Sequence, residues 1–401
     1  MIIAKKAFFY IGVFLLIFLS SSCSEQNIDT EYFDNIIVYG TNAEDDVYSD
    51  VGILNTLNGI VYLFDPVSGI RAPLCTKVNC KHEGKTLANQ YPTCDAYLSF
   101  WVNETAIVGD YLYYAVCPED ENLNIKDMFI KEFYRADKNG KNRKLLYRTE
   151  DAQNFLFGFY ENGYMAYSYA NNENRDREVL KKNTFGIILI DLKSEETIHI
   201  RYEKEFYSGQ VLFATITDEY IYYALCYFTE DIKQYSFDFI SDPANKDYMS
   251  KIYKAEIWRY NIESGEQEKY MELDPTKHFI VGRGHIVYKD SDEMGITLKN
   301  LVTNEEHNIR GENFQKLYGS FNDMGFVFTV NGKIRLWRFG AKIPEELGTY
   351  NEKENLHITI ITQNWVYAST YDNEKGHKEL YCPRTDFLNG QYDWQEADIG
   401  H

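Results

Sequence analysis

The sequence predicts an all-β chain, a β-propeller of four-stranded antiparallel blades, most simply seven of them, with six or eight as the neighbouring solutions. Three observations lead there. One phrase recurs seven times along the 401 residues: a short Tyr/Ile/Leu-rich strand, a polar Gly/Asn/Asp turn, then a second strand. The turns include Asn-Gly and Gly-Asp pairs, residues that tolerate the positive φ a tight hairpin demands. No long stretch carries a clean helical apolar period.

The first 22 residues stand outside this pattern. Lys5 and Lys6 precede an apolar run over 7–19, followed by Ser20-Ser21-Ser22-Cys23. That order of charged, apolar and small residues is a secretory signal peptide, too short to span a bilayer. A Cys directly after the small residues resembles a bacterial lipobox, in which Cys23 is lipidated and becomes the first residue of the mature protein. One position departs from the pattern: the branched apolar residue expected three before the Cys is Ser20, with Leu19 one place earlier. Ordinary secretion with an incidental Cys is the competing reading. Residues 23–34 then form the lipidated Cys and a polar tether, and 35–401 a single propeller domain.

Each blade reads as two hairpins. The first hairpins are 155–160 with 164–169 across Asn162-Gly163, and 212–216 with 220–226 across Asp218-Glu219. They continue with 279–281 and 285–289 across Arg283-Gly284, 317–321 and 326–330, and 357–361 and 365–370. Tyr111-Leu112-Tyr113-Tyr114-Ala115-Val116-Cys117 follows Gly109-Asp110 and nearly repeats the strand at 220–226. The second hairpins start with strands at 60–64, 133–136, 186–190, 257–260, 296–299, 334–338 and 379–382. Six first hairpins stand against seven second ones, and residues 36–39 with 51–54 supply the missing pair.

Seven cysteines divide by position. Cys117, Cys226 and Cys382 sit in strand phrases and read as small buried apolar residues. Cys75, Cys80, His82 and Cys94 share one excursion between two blades. Three thiolates and an imidazole are the donor set of a closed tetrahedral zinc site, although the spacing is not that of a standard finger. In an exported protein a disulfide among the three cysteines is the alternative. Either role is structural, because four protein ligands leave no open position for catalysis.

The formal charge is −20, and −22 once the two leader lysines are gone. Such acidity repels nucleic-acid phosphate and anionic lipid, so the only expected membrane contact is the lipid anchor. It suits cationic ligands, divalent ions or simple solubility. Insertions at 118–131, 170–184 and 227–255 all follow the second strand of a blade, which puts them on the same face as the Cys/His excursion. Elaborated loops on a rigid scaffold are where binding resides, against a plainer reading as tolerated drift. The longest, with Tyr227, Phe228, Tyr235, Phe237, Phe239 and Tyr248, is placed to cover the central channel. The 34 tyrosines mostly recur in strands and read as blade packing rather than as a sugar site. The chain has no Gly-x-Ser-x-Gly elbow and no phosphate-binding glycine loop. Asp290-Ser291-Asp292 lacks the spacing of a calcium loop and reads as a solvated turn.

Residues 62–69 with Pro73-Leu74-Cys75, Cys80, His82 and Cys94, and the strand starting at Gly109, resemble a family of uncharacterised bacterial lipoproteins with TolB-like or low-density-lipoprotein-receptor-type β-propellers. The resemblance implies a propeller tethered to the cell envelope and implies no reaction. The expectation is therefore an exported, lipid-anchored, non-enzymatic module that binds a protein, peptide or glycan. The alternative is an envelope glycan-active hydrolase or lyase with acidic residues in the central channel, a pairing that leaves no local motif.

Overall fold

The computed structural model of the chain describes residues 47–86, 88–99, 102–118, 130–149, 153–171, 183–206, 208–230, 248, 251–274, 277–289, 295–311, 318–349, 356–372 and 376–399. Seven four-stranded antiparallel sheets succeed one another, each built from four consecutive strands. They are the blades of a propeller, at 47–73, 102–148, 153–206, 208–273, 279–310, 318–349 and 357–396.

Composition tracks radial position. The second strand of a blade is packed on both faces by its neighbours and reads as a continuous apolar run: Tyr111–Val116 and Gly325–Val330 are buried almost throughout. Fourth strands lie at the rim and carry the charge, as in Lys144–Arg148 and Glu345–Thr349. First hairpins close as the turn chemistry demands, with Asn162 at φ 50° and Gly163 at φ 77°.

The second hairpins share a device the sequence only hinted at. In blades 1, 3, 4 and 5 an Asp or Asn opens the turn and its side chain accepts backbone N–H groups two or three residues on. The fifth residue is left-handed and its N–H returns to the first carbonyl at 2.7–3.0 Å. Gly69 and Gly265 fill that position at little cost and Asn304 (φ 63°) takes it readily, whereas Glu195 (φ 60°) adopts it under strain.

Among the described residues no blade shares strands from both chain ends, and side chains link blades 7 and 1. Asn55 donates to the Ile399 carbonyl at 2.7 Å, the Tyr367 hydroxyl to that of Ser49 at 3.0 Å, and the Asn364 N–H to Asp50 at 3.0 Å. Ile53, Phe64, Tyr367, Tyr381 and Ile399 form the apolar seam around them.

Two expectations need correction. The first pair of blade 1 is Val47–Ser49 with Gly52–Leu57, because Asp50 and Val51 make a tight turn there. Residues 36–39 lie outside the described residues, as do the leader, Cys23 and the tether. Cys117 lies one residue past its strand, Tyr111–Val116, and is partly exposed, because the equivalent strand of blade 4 runs on to Phe228 and encloses Cys226. Burial pushes the Cys226 thiol up to about 11 and the Cys382 thiol to about 12, as inert core sulfur requires. Among the described residues no helix is long and apolar enough to cross a membrane.

Candidate metal centre

The Cys/His excursion begins and ends on one strand edge. The Leu74 N–H donates to the Val61 carbonyl at 3.0 Å, and the Val61 N–H donates to Ala96 at 3.0 Å. The amide and carbonyl of one strand residue point the same way, so the chain leaves this edge at Leu74 and returns to it at Ala96. Tyr97 then bridges to Ile60 and the Leu98 N–H donates to the Gly59 carbonyl. That return is why Cys75 and Cys94, far apart in sequence, face each other.

Between them the backbone doubles back through two left-handed residues, Asn79 (φ 60°) and His82 (φ 53°). Asn takes that conformation readily. A histidine does so at a cost, and strain of this kind gathers where a side chain must be aimed. The Lys77 ammonium donates to the Thr93 carbonyl at 2.9 Å and ties the outgoing and returning arms together.

One donor atom from each of Cys75, Cys80, His82 and Cys94 lies within 4.8 Å of the others, and Cys94 Sγ is 3.5 Å from His82 Nδ1. A tetrahedral zinc with bonds of about 2.3 Å to sulfur sets its ligands about 3.8 Å apart, so a small contraction of this cluster suffices. The three sulfurs are free thiols here. Cys94 is buried against Ile60 and Ala96, with Leu74, Cys75, Cys80 and Tyr97 around them.

The electrostatics suit a cation. Burial pushes Cys75 up, but N–H groups of Lys77 and Asp95 and the neighbouring thiols Cys80 and Cys94 bring it below an ordinary thiol. Burial dominates at Cys94 and raises it to about 12, with an N–H from Ala96 pulling the other way and Cys80 and Cys75 adding to the rise. Lys77 and Ala96 are each two residues past the cysteine they serve, so the same local turn is used twice to aim an amide at sulfur. Three adjacent thiols cannot all ionise alone, and a divalent cation supplies the missing countercharge. The donor set and its amide-bonded second layer fit zinc.

The expected binding loops are mostly outside the described residues: 119–129, 172–182, 231–247 and 249–250, which include Tyr235, Phe237 and Phe239, and likewise Asp290-Ser291-Asp292. Of the aromatic insertion, Phe228 packs on Tyr253 at 4.6 Å, and the Tyr248 hydroxyl donates to Glu230 at 3.0 Å.

A second polar centre escaped the sequence reading. Fully buried Glu161 of blade 3 accepts from the Thr215 hydroxyl (3.0 Å), the Ile216 N–H (2.6 Å) and the Arg283 N–H (3.2 Å). The Gly284 N–H donates to Thr215 at 2.8 Å, so blades 3, 4 and 5 are joined at their first turns. Burial raises the Glu161 carboxyl, opposed by Arg283 and the three donated bonds. Beside it His285 stacks on Phe339 at 4.0 Å, its Nδ1 donating to the Arg283 carbonyl and its Nε2 accepting from Asn300. Burial holds that ring neutral. The one available signal was positional: Glu161 immediately precedes the turn at Asn162-Gly163 and Arg283 opens the equivalent turn of blade 5.

No protein-family model and no curated protein matches the sequence. Solved structures share the architecture at low identity. The β-propeller domain of the trilobed protease from Pyrococcus furiosus is 12% identical over 91% of this chain and 98% of that one, with a TM-score of 0.48. Acylaminoacyl peptidase from Pyrococcus horikoshii is 11% identical over 74% of this chain and 45% of that one, with a TM-score of 0.45. An oligogalacturonate lyase in complex with manganese is 11% identical over 70% and 72% of the two chains, with a TM-score of 0.41. The likeness is one of fold alone, and the activities of those proteins do not carry over with it.

Proposed function

We propose that this chain is an exported, lipid-anchored propeller of the bacterial cell envelope, a non-enzymatic binding or scaffold module for a protein, peptide or glycan. A structural zinc held by Cys75, Cys80, His82 and Cys94 fastens the junction of blades 1 and 2. The observation that carries this reading is the donor cluster: four protein ligands within 4.8 Å make a closed set. The zinc would neutralise thiolate charge and pin both arms of the excursion, while Lys77, Asp95 and Ala96 hold the sulfurs in place. The anchor rests on Lys5, Lys6, the apolar run and Cys23. The hydrolase or lyase alternative needs unengaged carboxylates, and Glu161 has both oxygens occupied by Thr215, Ile216 and Arg283.

Elemental analysis of the detergent-extracted full chain tests the reading. One zinc per chain is expected, lost in Cys80→Ser and His82→Ala, with labelled palmitate incorporated unless Cys23 is replaced by Ala. No metal, with two thiols masked until reduction, would replace the zinc with a disulfide.

A further inference from the structure

Between the Cys/His excursion and the outer half of blade 2 lies a cleft of about 830 Å³, within the usual size range of small-ligand sites. One wall is the returning arm, Pro92 to Ser99, which includes Cys94; the other is blade 2 with the turn between its third and fourth strands. We infer that this cleft binds a short neutral oligosaccharide. The inference rests on the binding-module reading given above but not on the zinc.

Charge excludes most other small ligands. The lining holds two carboxylates, Asp95 and Glu132, and two cations, Lys141 and Arg143, so its formal charges cancel in a chain of net charge −20. Lys141 faces Asp95 at 3.6 Å, and Glu132 is held by Arg148 at 2.9 Å. A nucleotide would find no unpaired cation cluster and a metal ion no carboxylate cluster. What remains is hydrogen bonding over an aromatic surface.

That surface is built for a sugar face. Tyr114 and Tyr134 are cross-strand partners whose rings stack at 5.4 Å and 12°. Tyr114 is buried, and it backs the half-buried Tyr134 into a rigid platform. A pyranose can lay its C–H face on such a ring while its hydroxyls turn to polar groups at the edge. Glu132 stands there, oriented by the Tyr134 hydroxyl at 2.8 Å, and each carboxylate oxygen keeps a lone pair for an incoming O–H. Asn142, on the adjoining turn, donates one amide N–H to Asp137 at 2.7 Å and keeps the other N–H and its carbonyl oxygen for a ligand.

A peptide is less well served. Extended peptides bind by adding to a free strand edge. Here the backbone carbonyls of Asp95 and Tyr97 are taken by the Arg143 guanidinium at 2.9 and 2.6 Å. The recognition groups left are side chains, as sugar binding needs.

Saturation-transfer NMR on the detergent-solubilised full chain tests the inference, with cellotriose, maltotriose, chitotriose, mannotriose and tetra-alanine as probes. Transfer to at least one trisaccharide is expected. Affinity should fall roughly tenfold in Glu132→Gln, the loss of one charge-assisted hydrogen bond. Asn142→Gly, at an exposed lining position whose φ of 50° glycine adopts, should weaken binding too. Transfer to none of the sugars would overturn the inference. So would sugar binding unaffected by both Glu132→Gln and Asn142→Gly. Binding of tetra-alanine alone, lost in Glu132→Gln, would keep the binding-module reading and overturn the saccharide. Sugar binding in a chain without zinc would separate the cleft from the metal centre.

Discussion

Removing the metal should loosen the excursion without unfolding the propeller, and the size of the effect follows from the loop it closes. Cys75 and Cys94 bound a segment of 20 residues. Cross-linking a loop of that length removes chain entropy worth about 3 kcal/mol. The rest of the excursion is held by hydrogen bonds to Val61 and Gly59 and from Arg143 to the Asp95 and Tyr97 carbonyls, which survive loss of the ion. The change is therefore local, and a global melting curve would under-report it. Lys81, exposed in the middle of the loop, gives a direct readout through trypsin cleavage. When opening is fast relative to cleavage, the rate follows the open population, so about 3 kcal/mol becomes roughly a hundredfold faster cut. Chelator should produce that acceleration in the wild type and add nothing in Cys80→Ser, which should already be fast. Reductant alone should do nothing. Acceleration by reductant but not by chelator would make the closure a disulfide and refute the zinc argument; insensitivity to both would refute any cross-link.

Three further outcomes follow. Glu161→Ala strips the acceptor from Thr215, Ile216 and Arg283 and should cost more than about 3 kcal/mol, measured by chemical denaturation. Because the folded Glu161 pKa is raised above its unfolded value of 4.5, the folded state holds this proton longer, so stability should fall as pH rises from 4.5 through the folded pKa. Glu161→Gln should flatten that slope, seen as parallel melting temperatures across the pH series. Gly140→Ala places a Cβ 2.0 Å from the Asp95 carbonyl oxygen at a φ of +78°, and should cost about 2–4 kcal/mol while weakening zinc retention against a competing chelator.

Blade architecture was legible because each blade repeats its own local instructions. Asn162-Gly163 specifies one hairpin, Asp65 to Gly69 another, and the apolar run 111–116 announces a strand covered on both faces. The cluster of Cys75, Cys80, His82 and Cys94 was legible for a similar reason: the four sit close together in sequence, on one excursion. Glu161, Thr215, Arg283 and His285 were not, since each is ordinary in its own hairpin and they meet only when blades 3, 4 and 5 stack. The start of blade 1 was misplaced because Val47–Ser49 is only three residues long and carries little periodicity, while 36–39 matches a strand better by composition. The cleft was hidden by the abundance of tyrosine. Tyr114 and Tyr134 read as two more packing residues until the returning arm of the excursion is set across from them.

That returning arm also shows what a metal would contribute at this junction. A surface excursion this long must find apolar area to bury or another source of order. Here the buried cluster consists of Ile60, Cys94 and Ala96, and Ile60 belongs to the blade rather than to the loop. Two of the loop's apolar side chains are left to solvent: Val78 is 84% exposed and Tyr91 is 78% exposed. Burial at about 25 cal/mol per Å² cannot hold such a segment against the entropy of ordering it. Coordination at one point, from both arms, would supply what packing does not, as in small domains that rely on zinc for want of a core. The ordered arm then fixes Asp95 and Tyr97, whose carbonyls grip Arg143 across the cleft. Loop and cleft wall are one construction that a bound metal would pin, with the inner strands of the propeller left to stand without it.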